Sequence, residues 1–307
     1  MTQMMTLVRR EVIENRSSWA VPAAFGALFV VAALLAVFGL VQFGALDRSM
    51  MLAEMGHELD ASSIYPALLV AFMPIMVVLV MVMTFVVFFY FLDALYAERK
   101  DRSILFWKSL PVSDLQVVGS KYLTGVAAIP LLTIGIFLVT AILVWLIGGF
   151  ALLWAGSGAA LAGGPAALAG ATAIMVYILL TQALWLVPVH AWLLLVSAFA
   201  RRAVLGWVVA PPALLVVAER ILLGTRHFAD MIGHRMIGGF QLAFSNEHQQ
   251  HTIFMESDGV MVSAFPALGE FLTPGRFLAS PSLWAGIAVG AMFLAGAVWL
   301  RRWRDES

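Results

Sequence analysis

Six long apolar segments constrain the fold of this chain more than any other feature of its sequence. At a rise of about 1.5 Å per residue, helices of about 20 residues cross the roughly 30 Å hydrocarbon core of a bilayer. Hydrophobic residues make up 62% of the 307 residues and charged residues only 12%, a balance that excludes an ordinary soluble domain. We therefore predict an all-α integral membrane protein. Its six transmembrane helices are predicted at residues 19–43, 64–97, 117–150, 172–200, 203–223 and 281–300.

Prolines fall inside several of these predicted spans. Pro74 should kink the second span, and Pro130 interrupts the third. Pro211 and Pro212 stand together in the fifth span, where a broken helix needs its freed carbonyls covered by neighbouring helices or water. Residues 151–171 are uncharged and rich in glycine and alanine, which predicts a short outer turn before the fourth span.

The positions of lysine and arginine predict the orientation of the chain in the membrane. With both termini in the cytoplasm, 13 of the 18 basic residues lie inside, as the positive-inside rule requires. The five basic residues outside are Arg48, Arg220, Arg226, Arg235 and Arg276. Residues 1–18 mix charged and apolar residues at helical spacing, which predicts an amphipathic helix on the membrane surface. The alternative for residues 1–18 is a frayed cytosolic tail. At the other end of the chain, residues 301–307 are predicted to form a cytoplasmic tail.

The largest loop, residues 224–279, lies outside in this topology, between the fifth and sixth spans. Residues 231–244 and 260–271 are apolar enough to dip into the outer leaflet. Gly238 and Gly239 have the composition of a tight re-entrant turn, and non-helical backbone at that depth must be buried in protein. The composition therefore predicts a re-entrant segment in this loop.

Residues 98–116 form the most prominent charged interruption of the apolar chain, and they are predicted to be a cytoplasmic hairpin. Glu98 and Arg102 have the i,i+4 spacing of a helical ion pair. Ser113 and Gln116 have the spacing of a capping box, which predicts the start of the next helix.

Between these two ends lies a short apolar ridge, residues 104–107, with Phe106 and Trp107 at its tip. An aromatic-tipped hairpin held at a membrane face is suited to binding a partner protein. The alternative is a helix resting on the inner leaflet, with the tryptophan among the lipid headgroups.

This hairpin and its flanks resemble the membrane subunits of ABC transporters of the type-2, exporter-like class. Residues 92–114 read LDALYAERKDRSILFWKSLPVSD, and such permeases carry a similar run after their second span. They follow it with a Ser-Lys pair like Ser120 and Lys121. Outside this region the chain is similar to those permeases in layout only.

The resemblance implies the permease subunit of an exporter in a bacterial cytoplasmic membrane, paired with a second copy of itself or a sister permease. Separate ATPase subunits would bind ATP and Mg²⁺. Residues 103–107 would be the coupling helix seated in a groove of the ATPase, and residues 95–102 would support it. The residues implied in ATPase coupling are Glu98, Arg99, Asp101, Arg102, Ser103, Ile104, Leu105, Phe106 and Trp107. The outer loop, residues 224–279, would form small re-entrant helices that gate the exit.

The same resemblance places the second and fifth spans along the substrate path at the dimer interface. On the second span, a stripe of apolar residues suits the lining of such a path and favours a hydrophobic or amphipathic substrate. The stripe consists of Met73, Met76, Val80 and Met83. Helix packing is the alternative interpretation of these four side chains.

The sequence offers no catalytic or nucleotide-binding motif of its own. It has neither a GxxxxGK[ST] loop nor an HExxH pair, so we expect neither enzymatic activity nor a cofactor bound by this chain. The net charge is zero, and no nucleic-acid partner is expected.

Histidines are the remaining candidates for chemistry. Five of the six lie outside the membrane in this topology, and we interpret them as solvated rather than as a metal site. They are His57, His227, His234, His248 and His251. The sixth, His190, lies within a span, where an ionisable group is a functional candidate and a neutral hydrogen-bonded histidine is the alternative.

Two competing classes remain open from the residues alone. A secondary transporter driven by an ion gradient would use broken helices and acids near the bilayer midplane. The prolines offer breaks, but no acid falls in the middle of a predicted span. A membrane-bound enzyme would need a catalytic set inside the bilayer, and the sequence does not supply one.

Overall fold

The computed structural model describes residues 3–42, 61–101, 112–154, 159–244 and 272–303, and every regular element within them is helical. The first helices are α1 (Gln3–Glu14), α2 (Ser17–Gln42), α3 (Ala61–Asp93), α4 (Tyr96–Lys100) and α5 (Asp114–Leu123). A π-helical turn (Thr124–Ala128) leads into α6 (Ile129–Trp154). The remaining helices are α7 (Ala159–Trp185), α8 (Val187–Phe199), α9 (Val204–Leu222), α10 (His227–Phe244), α11 (Pro274–Leu278) and α12 (Pro281–Trp303).

Among the described residues, six helical segments are long and apolar enough to cross a membrane, which confirms the predicted all-helical class with six candidate spans. They are Ser17–Gly39, Ala67–Lys100, Asp114–Leu153, Leu161–Trp185, Val204–Leu222 and Pro281–Trp303. The location of both termini in the cytoplasm stays a prediction.

The fourth span begins earlier than its hydropathy indicates. Helix α7 starts at Ala159, so most of the small residues that suggested an outer turn are helical. Gly164 lies directly against the indole of Trp145 on α6, where a side chain would collide with the ring. Ala167 and Ala171 follow one turn apart and are fully buried. Small residues in a membrane helix allow close packing against a neighbour, and their abundance here reflects a helix interface.

The same span is also divided into two helices. Helix α7 ends at Trp185 and α8 begins at Val187, with Pro188 in the first turn of α8. A proline is tolerated there because the first N–H groups of a helix have no partner within it.

The double proline of the fifth span does not break its helix, since α9 runs continuously from Val204 to Leu222. Pro212 cannot donate to the carbonyl of Val208, four residues earlier. The indole Nε1 of Trp192 on α8 donates to that carbonyl at 3.2 Å. A neighbouring helix therefore covers the freed carbonyl, as the sequence requires.

Helix α3 lies at the centre of the bundle, and its buried side chains form much of the core. Phe72, Leu79 and Phe91 are almost completely buried and pack with residues of α6, α7 and α8. Helix α9 is the opposite case, because Val208 is its one buried residue. The second span is therefore buried along one face, whereas the fifth span is exposed along almost all of its surface.

The loop between the fifth and sixth spans contributes a long helix, α10, that packs against the end of α7. Trp185 donates from Nε1 to the carbonyl of Arg235 at 2.8 Å, and Arg235 returns hydrogen bonds to the carbonyls of Trp185 and Ser282. Gly238 and Gly239, interpreted as a re-entrant turn, lie within helix α10, and Gly239 allows the ring of Trp185 to approach the helix backbone. The first apolar stretch of the loop lies within α10, and the second, residues 260–271, lies outside the described residues.

Candidate functional site

The predicted coupling hairpin begins at a bend in the second span. The sequence predicts one continuous helix through residue 97. In the structure, α3 ends at Asp93 and α4 begins at Tyr96, so the helix is interrupted there. At the bend, the Oγ of Ser197 on α8 accepts hydrogen bonds from the backbone N–H groups of Leu95 and Tyr96, both at 3.0 Å. An external hydroxyl thus satisfies N–H groups at the start of the new helix, which permits the change of direction.

Arg99 fixes α4 to the end of α8. Its Nη2 donates to the carbonyls of Ser197 at 2.5 Å and Ala200 at 2.8 Å. These carbonyls belong to the C-terminal end of α8, where the helix dipole favours a cation. The base of the hairpin is therefore held by α8 through the backbone N–H groups of Leu95 and Tyr96 and through the side chain of Arg99.

Glu98, next to Arg99, is buried and makes two ion pairs with helices distant in sequence. Its carboxylate oxygens meet Lys121 Nζ of α5 at 3.0 Å and Arg301 Nη1 of α12 at 2.6 Å. Each of these three side chains is less than 10% exposed. Water therefore screens these pairs much less than it screens a pair on the surface.

Two further carboxylates extend these pairs into a connected group. Glu11 of α1 accepts from Lys121 Nζ at 2.8 Å and from the hydroxyl of Tyr90 at 3.2 Å. Asp114, the first residue of α5, accepts from Arg301 Nε at 3.1 Å. These side chains define what we call the ion cluster: Glu11, Glu98, Asp114, Lys121 and Arg301.

The ion cluster holds both ends of the segment predicted to couple to a partner. Glu98 precedes the predicted coupling helix, residues 103–107, and Asp114 follows it. Both carboxylates bind Arg301. The capping box predicted at its far end is confirmed: Ser113 Oγ accepts from Gln116 N at 3.2 Å, and Gln116 Oε1 accepts from Ser113 N at 3.0 Å. A force on the segment would therefore act on α1, α4, α5 and α12 together.

Only part of the predicted coupling set falls within the described residues. Glu98 is buried in the ion cluster, Arg99 binds the end of α8, and Asp101 is exposed. The predicted pairing of Glu98 with Arg102, and the contacts of the ridge, stay predictions. The members of the set that lie outside the described residues are Arg102, Ser103, Ile104, Leu105, Phe106 and Trp107.

The ion cluster contains three carboxylates and two cations, so its charge does not cancel within the group. Burying charges is costly, and the cost is offset only where the charges are closely paired with one another, as they are here. Glu11 and Arg301 escaped the sequence analysis because each resembles an ordinary charge at the end of a helix. In the sequence, the one feature that could indicate burial of Glu11 and Arg301 is that each lies beside apolar residues. Many charged residues that form no ion pair also lie beside apolar residues.

The four side chains of the apolar stripe proposed to line a substrate path differ in how deeply they are buried. Met76 and Met83 are buried in the core of the bundle, and Met73 and Val80 are partly buried against that core. This placement favours helix packing for the two buried methionines. A different face of α3 is exposed, and it carries Val70, Val77, Met81, Phe85 and Phe89.

The histidines and acids do not form a metal site in the part of the chain that the structure describes. No group of three or more His, Cys, Asp or Glu side chains converges within those residues. His57, His248 and His251 lie outside them. His190 is buried inside the bundle, with its ring centroid 5.2 Å from that of Phe91.

Comparison with known families gives one match. Residues 59–209, about half of the chain, match the family model described as "ABC-2 family transporter protein". The matched region contains Glu98, Asp114 and Lys121 of the ion cluster, together with the predicted coupling segment. No curated protein and no solved structure matches the chain. The match confirms the resemblance identified from residues 92–114.

Proposed function

We propose that this ABC-2-type permease is the membrane subunit of an exporter in a bacterial cytoplasmic membrane, driven by separate ATPase subunits. The family match supports a multi-pass ABC transporter permease, and such a permease implies an ATPase partner. The chain carries no GxxxxGK[ST] loop, so ATP and Mg²⁺ would be bound by the partner. The permease would then be neither an enzyme nor the holder of a cofactor.

The observation that carries the proposal is the attachment of both ends of the predicted coupling segment to one buried ion cluster. In our proposal, residues 103–107 insert into the ATPase, with Phe106 and Trp107 as aromatic anchors. ATP binding moves this segment, and the movement passes through Glu98 and Asp114 to Arg301 on the last span. ATP then biases the permease between two states that differ in how they bind the ATPase.

Dimerisation is the second part of the proposal, and exposed apolar surface supports it. Helix α9 buries only Val208 within the protomer, and the exposed face of α3 carries Phe85 and Phe89 at 57% and 60% exposure. A second permease beside these two spans would enclose a path lined by apolar side chains. Such a path suits hydrophobic or amphipathic cargo.

The experiment that tests the proposal is co-purification from native membranes. The tagged, detergent-extracted chain should recover a nucleotide-binding subunit in stoichiometric amount, with ATPase activity. Trp107→Ala should reduce that recovery or uncouple hydrolysis, because it removes the predicted anchor. Trp299→Ala, which truncates an exposed tryptophan on α12, is the matched control and should leave recovery unchanged.

Two results would contradict the proposal. If Trp107→Ala still recovers the full amount of ATPase and transports fully, residues 103–107 are not the coupling helix. Recovery of the chain alone, without any ATPase, would instead favour a transporter driven by an ion gradient. Asp93 and His190 would then be the residues to substitute first.

A further inference from the structure

A small cavity lies inside the bundle where α3, α6, α7 and α8 meet, and none of its lining residues belongs to the ion cluster. Its polar lining comes from three helices: Thr84 on α3, Gln182 on α7 and His190 on α8. About 10 Å³ of it is open to the centre of a water molecule, which is close to the space that one water needs. The other walls are apolar or backbone.

Two of these polar side chains are left with an unpartnered atom. Gln182 donates from Nε2 to Thr84 Oγ1 at 2.6 Å, but its Oε1 accepts no hydrogen bond. His190 Nδ1 also has no partner. Both side chains are only 7% exposed, so bulk water does not reach them freely. A buried polar atom without a partner is costly, and such atoms commonly bind an ordered water.

The helical backbone beside the cavity is irregular, because a π-helical turn lies there. Gly125 and Val126 line the cavity, and both lie in the π-helical turn that precedes α6. Pro130, another lining residue, has no N–H to donate to that turn. Within a membrane, polar backbone freed by a proline is satisfied by neighbouring side chains or ordered water.

The fourth span is also divided beside this cavity. Gln182 lies near the end of α7 and His190 lies in the first turns of α8, with the break between them at Leu186. A molecule bound to both residues therefore bridges the two halves of the span. Through Thr84 and the π-helical turn, it also borders the second and third spans.

We propose that this cavity is a binding site for a single water molecule, held by Gln182 Oε1 and His190 Nδ1. Water fits the volume, and it donates to the amide oxygen while either donating to or accepting from the imidazole. The site therefore works with either neutral tautomer of His190. The bound water joins α7 to α8 and stabilises the broken fourth span. This site is independent of ATPase coupling and of the direction of transport.

The test is water-to-ring magnetisation transfer in solid-state NMR of the full chain, labelled with ¹⁵N-histidine, in lipid bilayers. The His190 signal is identified by its loss in His190→Asn. The ring should receive magnetisation from water in the wild-type protein. Ala183→Val, which adds two methyl groups at the cavity wall, should displace the water and reduce the transfer to background.

Ala173→Val is the matched control, because Ala173 is exposed on the same helix and its substitution should leave the transfer unchanged. Val126→Ile fills the cavity from the opposite wall, and it replaces Ala183→Val if that variant does not fold. Absence of transfer in the wild type would show a dry cavity and overturn the proposal. Transfer that persists in the filled variant would place the water elsewhere and would equally overturn it.

Discussion

Replacing Lys121 with methionine isolates the energetic contribution of the ion cluster. Methionine is unbranched and apolar, so it occupies the space of the buried lysine stem without its charge. The substitution leaves Glu11 without an ionic partner, while Glu98 keeps Arg301 at 2.6 Å. Two buried carboxylates then face the vacated position together.

The expected loss of stability follows from these distances. The two carboxylate oxygens, at 2.8 Å and 3.0 Å from Nζ, lie within about 6 Å of each other and repel by about 3 kcal/mol at an effective dielectric constant of about 20. Removing one partner of a buried ion pair typically costs about 3–5 kcal/mol. Because Glu98 retains Arg301, we expect Lys121→Met to lower the free energy of unfolding by about 3 kcal/mol, the lower end of that range.

The assay is reversible unfolding in mixed micelles, with helical content measured by circular dichroism. Glu14→Gln is the control. Glu14 also lies on α1 and pairs with Arg10 at 2.6 Å, but both side chains of this pair are well exposed. That exposed pair should contribute less than about 0.5 kcal/mol. Adding Glu11→Gln to Lys121→Met should recover more than half of the loss, since it removes one of the two facing charges.

Two outcomes would refute this reasoning. If Lys121→Met is no less stable than Glu14→Gln, the cluster does not behave as a buried group of charges. If the double variant is no more stable than Lys121→Met, repulsion between Glu11 and Glu98 is not the cause of the loss.

Two further predictions concern hydrogen bonds between α8 and its neighbours. Trp192→Phe should lower the free energy of unfolding by about 1–3 kcal/mol, because it leaves the carbonyl of Val208 unpaired. In the Pro212→Ala background the same substitution should have little effect, since the new N–H supplies the donor; an equal loss in both backgrounds would contradict this account. Ser197→Ala should cost about 1 kcal/mol and speed amide exchange at the start of α4, whereas Ser197→Thr, which keeps the hydroxyl, should not. Unchanged exchange in Ser197→Ala would contradict the capping role.

The features that the sequence predicted correctly depend on residues close together in the chain. Six apolar runs predict six spans because a membrane helix must satisfy its backbone within itself, whatever surrounds it. The capping box of Ser113 and Gln116 depends on residues three apart. The family resemblance also came from one continuous stretch, and the match over residues 59–209 confirms it.

The sequence was less informative where small residues or glycines have two interpretations. Gly164 and its neighbours suggested a turn, yet they lie in α7, where Trp145 packs onto the glycine. Gly239 is likewise helical, and there Trp185 is the approaching ring. Glycine permits both a turn and a close contact, and only the neighbouring helix decides between them.

The sequence by itself determined that this chain crosses a membrane as helices, and it placed five of the six spans within a few residues. The fourth span begins earlier than predicted and is divided into two helices. Tertiary structure alone decided which charges meet: Glu98 and Arg301 are 203 residues apart, and Glu11 and Lys121 are 110 apart. Hydropathy and capping depend on one or two turns of chain, so they can be recognised locally. An ion pair between helices depends on the order in which the spans pack and on how each helix is rotated. Those two properties are set by all the contacts in the bundle together.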